Sequence, residues 1–474
     1  MTLRELLAAA GIPNGDDSPV LGLTADPART GPGIVFVAID TPLARGHARV
    51  RQAIKRGASA LVVESLARVP ANPPCPVFVV ADSKRTLAML AAALFGHAHR
   101  ELRLWAVTGT KGKSTVCHLL AEILKASGTA PGLLATKVQR IGSTERASEY
   151  TTPEAPELHE ALRGMVDAGA VDVIVEASSI GIAFDRMHGL ALAGAVFTNL
   201  GRDHLTTHGG LDALKAAKAR LFTDFDAPLC VVNVDDPWGE TLAQIAAGRV
   251  VTYGLAKGEL QFENLAFGPG GITGTIAGMR IASPLLGRHN ASNVLAAAAL
   301  GVAAGWPAGA IVDGIGCLAG VAGRLERITG DIAAYVDYAH TPESVDAVLE
   351  TLRQIHGDRR LVAVLGCSGG TDPTKRPEMA RAAVARADHC IFTADNPRLE
   401  DPNEIAKQMV AGLAGQETWE IEIDRRAAIE RGVELARPDG VLAVLGKGDE
   451  TSQEIGWESH AFDDRVVLAA ALAR

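Results

Sequence analysis

The chain has 474 residues, of which 47% are apolar and 21% charged, and its formal net charge is −9 at pH 7. A chain of this length is too long for one hydrophobic core and indicates about three domains. The composition is that of a globular protein, and the negative charge without a Lys/Arg-rich run argues against nucleic acid as the main partner.

The first 100 residues are predicted to form a small α/β domain. Residues 1–7 fit a short amphipathic helix. They do not fit a signal peptide, because Glu5 stands where a signal peptide needs apolar residues. Two β-rich runs, 34–38 and 60–63, flank a helical pattern.

The six cysteines follow no zinc-type spacing, and the apolar stretch 294–306 is shorter than the roughly 18 residues of a membrane span. We therefore expect a cytoplasmic protein with reduced thiols and no membrane partner.

A phosphate-binding loop at 107–115 follows the next apolar run and reads Val-Thr-Gly-Thr-Lys-Gly-Lys-Ser-Thr. Glycines flanking a Lys-Ser pair form a nest of N–H groups that binds nucleotide phosphates, so we predict an ATP site. Only two residues separate Gly109 from Gly112, which points away from kinases, GTPases and helicases. Lys113 is assigned to the β- and γ-phosphates and Ser114 to Mg²⁺. The loop residues assigned to ATP are Gly109, Thr110, Gly112, Lys113, Ser114 and Thr115.

Apolar runs at 171–175, 195–197 and 230–232 predict a parallel sheet that is covered on both faces. Glu176 follows the first run and is a candidate Mg²⁺ ligand, because ligands bind at the carboxyl edge of such a sheet. Alone, it fits a solvent-exposed strand-end glutamate equally well. His204 follows the second run and reaches the same edge. By spacing alone, Lys215 and Lys218 lie on the solvent face of a helix.

A third segment begins after a glycine-rich stretch, 314–323. Strand-like runs at 335–337, 361–365, 390–392 and 441–445 alternate with helical patterns, which is typical of a doubly wound, Rossmann-like α/β fold. We therefore predict an α/β protein of three domains: a small N-terminal α/β domain at 1–100, a central ATP-binding domain with a mostly parallel sheet at 101–322, and a C-terminal doubly wound domain at 323–474.

Polar side chains near the start of this segment suit a nucleotide. Asn290 and Asn293 open an alanine-rich helix and can read an adenine edge, while Arg324 and Asp337 suit a γ-phosphate and a ribose hydroxyl. Further along, Arg398 is the natural clamp for a substrate carboxylate. Alone, its segment 395–398 fits a proline-fixed turn with a solvent-exposed arginine as well.

The order of these motifs resembles that of the Mur ligases of cell-wall synthesis, and in particular the MurE type, over nearly the whole chain. The matching stretches are 107–115, 151–153, 176–179, 198–208, 217–222, 287–293, 323–324, 336–342, 395–398 and 446–448. The resemblance implies a three-domain monomeric ligase that uses ATP and Mg²⁺. In such enzymes ATP phosphorylates a substrate carboxylate, and the amino group of an incoming amino acid then displaces phosphate.

The resemblance also assigns individual roles. It implies that Lys113, Glu176, His204 and Lys218 are catalytic, that Lys218 carries a carbamate, and that Ser114, Glu176, His204 and Lys218 hold metal. The Asp-Asn-Pro-Arg form of the 395–398 motif accompanies diaminopimelate in this family, so a diaminopimelate-like amino acid is expected. The residues assigned to substrate are Thr151, Thr152, Ser178, Arg186, Asp395, Asn396, Arg398 and Glu450.

The chain departs from the MurE pattern around the expected substrates. It has Ala25-Asp26 where a Ser-Arg pair holds the uridine nucleotide, its 178–186 stretch keeps Arg186 but loses a His and a Gln, and Asp449 and Lys111 replace a His and an Asn. The 368–372 run is altered too. We therefore favour a divergent MurE-like ligase with an altered acceptor over an orthodox ligase of UDP-MurNAc-dipeptide. A third hypothesis is a nucleotide-binding interaction protein without activity.

Overall fold

The computed structural model describes residues 1–42, 45–148, 150–201, 205–268, 270–413 and 416–474. The chain folds into two compact units. The first comprises Met1–Glu263, Thr275–Arg280 and Ser292–Ile315, and the second comprises Asn264–Gly274, Ile281–Ala291 and Gly316–Arg474. Among the described residues, no helix combines the length and the apolar character needed to cross a bilayer.

The first unit begins with a four-stranded parallel sheet in the order β1-β2-β3-β4. Thr2 and Glu5 form a capping box on the first helix, whose Leu3, Leu6 and Leu7 are buried, so the predicted amphipathic helix is confirmed. The elements are α1 (Leu3–Ala9), β1 (Gly22–Thr24), β2 (Ile34–Val37), α2 (Val50–Lys55), β3 (Ala60–Val63), β4 (Val77–Val79) and α3 (Ser83–Leu94).

An eight-stranded sheet follows in the order β12-β11-β10-β5-β9-β6-β7-β8. Its strands are parallel except that β7 pairs antiparallel with β6 and with β8. The apolar runs at the centre of the sheet are buried on both faces, as is typical of parallel strands. The elements are β5 (Arg103–Thr108), α4 (Lys113–Ala126), β6 (Gly132–Ala135), β7 (Val138–Ile141), β8 (Thr144–Ala147), α5 (Ala155–Asp167), β9 (Asp172–Glu176), α6 (Ser179–Ala183), β10 (Gly194–Phe197), α7 (Leu205–His208), α8 (Leu211–Thr223), β11 (Leu229–Asn233), α9 (Pro237–Ile245) and β12 (Arg249–Tyr253).

The next strands form a small sheet in the order β13-β14-β15, and two helices follow. Most of the apolar stretch 294–306 lies in the first of these helices, which ends at Ala303, and residues 294–300 are fully buried. The elements are β13 (Glu263–Gly268), β14 (Gly271–Ile276), β15 (Met279–Ser283), α10 (Arg288–Ala303) and α11 (Ala308–Cys317).

The second unit contains a six-stranded sheet in the order β16-β17-β21-β18-β19-β20, parallel except for the edge strand β16. Apolar clusters cover both faces, which confirms the doubly wound fold. The elements are β16 (Glu326–Ile328), β17 (Ala333–Asp337), α12 (Pro342–His356), β18 (Leu361–Leu365), α13 (Lys375–Arg386), β19 (His389–Phe392), α14 (Pro402–Val410), β20 (Trp419–Ile421), α15 (Arg425–Ala436), β21 (Val441–Leu445), β22 (Ser452–Ile455), β23 (Glu458–Ala461) and α16 (Asp464–Leu472).

The predicted strands coincide with strands of these sheets to within one or two residues at either end. No strand is predicted for β1, β4, β6–β8, β12–β16, β20, β22 and β23. Apart from β6, which is buried but only 4 residues long, these strands are partly or fully exposed and contain no long apolar run. Each of the ranges 1–100, 101–322 and 323–474 contains one main sheet. The second range also contains the small sheet β13–β15, and the third contains the small sheet β22–β23. The limits of the three domains stay a prediction.

Candidate active site

The predicted phosphate loop leaves the central strand β5, whose neighbours are β9 and β10. The carboxyl ends of all three strands therefore meet at the loop. Gly109 has φ +148° and Gly112 has φ +84°. A Cβ on Gly109 would lie 1.9 Å from Thr198 Oγ1, and one on Gly112 would lie 2.2 Å from Asn293 Oδ1. Both positions require glycine, and Asn293 packs against the loop.

The end of β10 fixes the shape of this loop. Thr110 N donates to Asn199 O at 2.8 Å, Lys111 N donates to Asn199 Oδ1 at 2.9 Å, and Thr198 Oγ1 donates to Lys111 O at 2.7 Å. Helix α4 then begins after Gly112 with no side-chain cap from any described residue. Its first N–H groups, which have no partners within the helix, are a site for an anion.

Glu176 is the centre of a polar cluster beside the loop, and its side chain is only 2% exposed. Its Oε2 accepts hydrogen bonds from Ser114 Oγ and from Thr136 N, both at 2.9 Å. Lys113 Nζ lies 4.0 Å from Glu176 Oε1 and donates to Thr110 O at 3.0 Å. The structure thus brings Lys113, Ser114 and Glu176 together, and the interpretation of Glu176 as a solvent-exposed strand end is wrong.

Four of the residues assigned to substrate, Thr151, Thr152, Ser178 and Arg186, lie against the same strand end. Thr152 is fully buried, and its Oγ1 donates to Glu176 O at 2.7 Å and accepts from Ser178 N at 2.9 Å. Thr151 Oγ1 lies 3.0 Å from Thr136 Oγ1. These hydroxyl groups form two separate hydrogen-bonded pairs, Thr151 with Thr136 and Thr152 with Ser178, which make up a polar lining at the strand end beside Glu176.

Arg186 adds a positive charge to this lining. Its Nη1 donates to Thr152 O at 2.8 Å, its Nη2 pairs with Glu154, and its guanidinium lies 5.0 Å from the centre of the Tyr150 ring. Its buried Nε has no hydrogen-bond partner among the described residues. Burial raises the pKa of Glu154, an effect that Arg186 opposes. Next to the lining, Arg186 and Glu154 therefore form an ion pair.

Lys218 lies behind the phosphate loop. The residue is 2% exposed, and its Nζ donates to Gly109 O at 2.7 Å. The surface position inferred from spacing is therefore wrong, because helical spacing alone does not reveal which face of α8 packs against the loop. Lys215, with a side chain that is 35% exposed, pairs with Asp212 as a surface residue does. A carbamate on Lys218 stays a prediction, and His204 lies outside the described residues.

The remaining residues assigned to the nucleotide lie in the second unit. Asn290 Nδ2 donates to Leu286 O at 2.9 Å, and Asp337 Oδ2 accepts from Leu325 N at 2.6 Å. The Arg324 guanidinium lies 4.6 Å from the centre of the Tyr338 ring. Burial raises the pKa of Tyr338 to about 12, and nearby acidic side chains add to this effect. Arg324 and Asp337 flank the antiparallel pairing of Glu326 with Val336, and their assignment to the nucleotide stays a prediction.

A second polar cluster forms at the carboxyl edge of the six-stranded sheet. Asn396 Nδ2 donates to Glu450 Oε2 at 2.8 Å. Lys447, which is fully buried, donates from Nζ to Asn396 Oδ1 and to Glu450 Oε2, both at 2.9 Å. Asp395 accepts a hydrogen bond from Ser368 Oγ at 2.6 Å. The two separate segments therefore meet in one site.

Arg398 lies at the rim of this cluster with its side chain 45% exposed. Its φ is +52°. Its Nε donates to Glu454 Oε2 at 2.7 Å and its Nη1 to Gly369 O at 3.3 Å. Because one side of the guanidinium is held while the group stays accessible, it can present donors to a carboxylate. The arginine is solvent-exposed, as in the interpretation of this segment as a turn, but its guanidinium is held by Glu454 and Gly369, and the role of a carboxylate clamp stays a prediction.

Four residues that complete these clusters were not assigned from the sequence: Thr136, Asn199, Lys447 and Arg425. Asn199 and Lys447 had a usable signal, since each is polar and follows a buried strand by two residues. Thr136 bonds Glu176 through its backbone N–H, which any residue type except proline could supply, and its hydroxyl lies 3.0 Å from Thr151 Oγ1. Arg425 opens helix α15 and has no distinguishing pattern.

Comparisons with known proteins identify the family of the chain. Residues 107–301 match the Mur ligase middle domain, and residues 323–448 match the Mur ligase, glutamate ligase domain. The chain is 37% identical to a UDP-N-acetylmuramoyl-L-alanyl-D-glutamate--2,6-diaminopimelate ligase of Geobacillus thermodenitrificans, covering 99% of this chain and 98% of the relative. A structure of a ligase with that name superposes with a TM-score of 0.71 and 31% identity over 100% and 99% of the two chains. A MurF ligase of Thermotoga maritima in complex with ADP has a TM-score of 0.61 at 17% identity, over 95% and 96% of the chains, and shares the fold.

Proposed function

The chain belongs to the Mur ligase family, and on that premise we propose that it joins 2,6-diaminopimelate to UDP-N-acetylmuramoyl-L-alanyl-D-glutamate. As a member of the family it is an ATP-dependent ligase that forms amide bonds in peptidoglycan biosynthesis. The observation that carries the finer proposal is the 37% identity, over 99% of the chain, to a ligase named for these two substrates. The relatives favour this orthodox acceptor over the altered acceptor that the sequence departures suggested.

The reaction has two steps. The acceptor carboxylate attacks the γ-phosphorus of ATP, the bond to ADP breaks, and an acyl phosphate forms. The amino group of diaminopimelate then attacks the acyl carbon, phosphate leaves with the electrons of the broken C–O bond, and the nitrogen loses a proton. The protein supplies positioning and charge neutralisation at the transferred phosphoryl group.

The phosphate loop provides the groups for the first step. We assign the first N–H groups of α4 and the ammonium of Lys113 to the phosphates, since both present positive charge beside the nest of Gly109 and Gly112. The hydroxyl lining of Thr151, Thr152 and Ser178 lies next to Glu176 and is assigned to the acceptor. Arg186 gives that lining a positive charge.

Ser114 and Glu176 fit a divalent cation, because a hydroxyl oxygen and a carboxylate oxygen 2.9 Å apart are the hard ligands that Mg²⁺ prefers. When bound, Mg²⁺ would neutralise negative charge on the phosphates. Until a cation binds, the Ser114 hydroxyl donates to Glu176 and Lys113 partly neutralises the carboxylate.

The cluster in the second unit matches the charges of diaminopimelate, which carries two ammonium and two carboxylate groups. Arg398 is assigned to a carboxylate, because a guanidinium held on one side offers parallel donors from the other. Glu450 and the amide of Asn396 are assigned to the polar groups on the carbon atom that bears this carboxylate, at the end of diaminopimelate far from the new amide bond. Lys447 balances the charge of Glu450 and sets its orientation.

A surface cavity of about 460 Å³ in the N-terminal part is assigned to the UDP group. Its lining includes Arg45, His47 and Arg68, together with Asp40, whose carboxylate accepts a 3.0 Å hydrogen bond from His47 N. Two guanidinium groups can neutralise a diphosphate. Asp26, at the position of the missing Ser-Arg pair, caps a short helical turn through a 2.8 Å bond from Ala28 N. We therefore expect the nucleotide to bind without that pair.

The test is a phosphate-release assay with UDP-N-acetylmuramoyl-L-alanyl-D-glutamate as acceptor, in which diaminopimelate competes with lysine and alanine and products are identified by mass spectrometry. Diaminopimelate should be incorporated in preference to both. Preference for lysine would contradict the assigned amino acid. Failure of every amino acid with this acceptor, together with no calorimetric binding of it, would contradict the assigned acceptor and favour the divergent ligase.

A further inference from the structure

We propose that Arg425, paired with Asp464, is a positioning residue that holds the two loops of the amino-acid site in register. The role as an amino-acid site rests on the proposed function. The effect of Arg425 on the loops 395–398 and 446–450 does not depend on which amino acid binds there.

Arg425 is enclosed at the amino end of α15, and its side chain and that of Asp464 are both 0% exposed. Its Nε and Nη2 donate to the two oxygens of Asp464 at 2.8 and 2.6 Å. Nη1 also donates to Ala394 O at 3.2 Å, and Nη2 donates to Leu445 O at 3.0 Å. The planar guanidinium therefore joins one carboxylate and two backbone carbonyls.

The two carbonyls belong to the residues that immediately precede the loops. Ala394 is followed by Asp395, and Leu445 is followed by Gly446. The strands that lead into these loops, β19 and β21, are not neighbours, because β18 lies between them. The hydrogen bonds of the sheet thus do not join one loop to the other directly, and Arg425 supplies a direct link.

The link matters because the loops fit closely on the substrate side. A Cβ on Gly446 would lie 2.5 Å from Asp395 Oδ2, and Lys447 Nζ is 2.9 Å from Asn396 Oδ1. A relative shift of about 1 Å would break such contacts and can cost about 10²-fold in rate where a substrate must be aligned. The buried pair is thus tied to the geometry of Asn396 and Lys447.

Stability alone does not explain this pair. Apolar side chains of similar volume can replace a buried ion pair with little loss of stability, whereas they cannot donate to two carbonyls. The double variant Arg425→Met/Asp464→Leu removes both charges together and so leaves no unpaired one. Arg425→Lys keeps the charge pair, but a single ammonium cannot reproduce the planar fork that reaches both carbonyls.

The KM for diaminopimelate should rise about tenfold in the double variant and in Arg425→Lys, while the KM for ATP stays within about twofold of the parent value. The matched control is Arg353→Met. Arg353 bonds Asp388 at 2.9 Å and the carbonyls of Arg359 and Arg386 at the opposite edge of the same sheet. Its loss should lower the Tm without changing either KM. Unchanged KM values in the Arg425 variants, or the same rise in the control, would overturn the proposal.

Hydrogen exchange of the full-length protein separates this proposal from the proposed function. Peptides covering 394–398 and 446–450 should exchange faster in the double variant than in the parent and in Arg353→Met, with no substrate added. Unchanged exchange there would overturn the positioning role even if diaminopimelate is the substrate. Faster exchange in an enzyme that prefers another amino acid would leave the positioning role standing and refute only the assigned substrate.

Discussion

Replacement of Lys113 by alanine should abolish most turnover while leaving the fold intact. The ammonium lies at the start of α4, 3.0 Å from Thr110 O and 4.0 Å from Glu176 Oε1, with a side chain that is 16% exposed. This position places it beside the assigned phosphate nest and outside the apolar core. We therefore expect the ammonium mainly to stabilise the negative charge that develops on the phosphoryl group. The kcat of the variant should fall by a factor of about 10²–10³.

The cost to stability should be much smaller. Alanine at 113 removes one hydrogen bond from a charged donor to a carbonyl, which is about 1–2 kcal/mol after allowance for the water that replaces it. Glu176 keeps its hydrogen bonds from Ser114 Oγ and Thr136 N. A domain with about 5–15 kcal/mol of stability tolerates such a loss.

The measurements are kcat from phosphate release and Tm from thermal unfolding of the same preparation. Lys215→Ala is the matched control, because Lys215 is a lysine of α8 that pairs with Asp212 at the surface. The control should keep parent values of both quantities. If Lys113→Ala turns over substrate at near the parent rate, the assignment of the loop to ATP phosphates is refuted.

Three further outcomes are expected. Lys218→Ala should be largely inactive and partly restored by formate or acetate, and intact-mass spectrometry in bicarbonate should show a carbamate on the parent; lack of rescue and of the mass shift would contradict the carbamate. Arg398→Ala should raise the KM for diaminopimelate strongly and spare that for ATP, and Arg398→Lys should recover little, because an ammonium lacks the planar fork; parent KM values would refute the carboxylate clamp. Burial lowers the pKa of His159 to about 3 and of His99 to about 4, from 6.5. Since unfolding lets both bind protons, stability should fall as the pH drops from about 6.5 towards 4, and the decline in Tm should be shallower in His159→Phe; equal slopes would refute the role of this histidine.

Several features followed from local sequence alone. Short apolar runs rich in valine and leucine favour buried parallel strands, which is why β3, β18 and β21 match their predicted residues. The glycines of the phosphate loop specify a backbone with positive φ that other residues rarely adopt, so Gly109 and Gly112 could be located without a structure. The order of such motifs was sufficient to predict the family.

Other features depended on contacts between segments far apart in the chain. Lys218 has the spacing of a surface lysine, and only the packing of α8 against the loop buries it beside Gly109, 109 residues away. The hydrogen bond from Thr136 to Glu176 comes from a backbone N–H, so the residue type does not reveal it. Arg425 links the ends of two non-adjacent strands, a relation that exists only once the order of the six-stranded sheet is known. Sequence patterns report local backbone preference and burial, whereas the partners of a polar group are set by which strand ends the fold brings together.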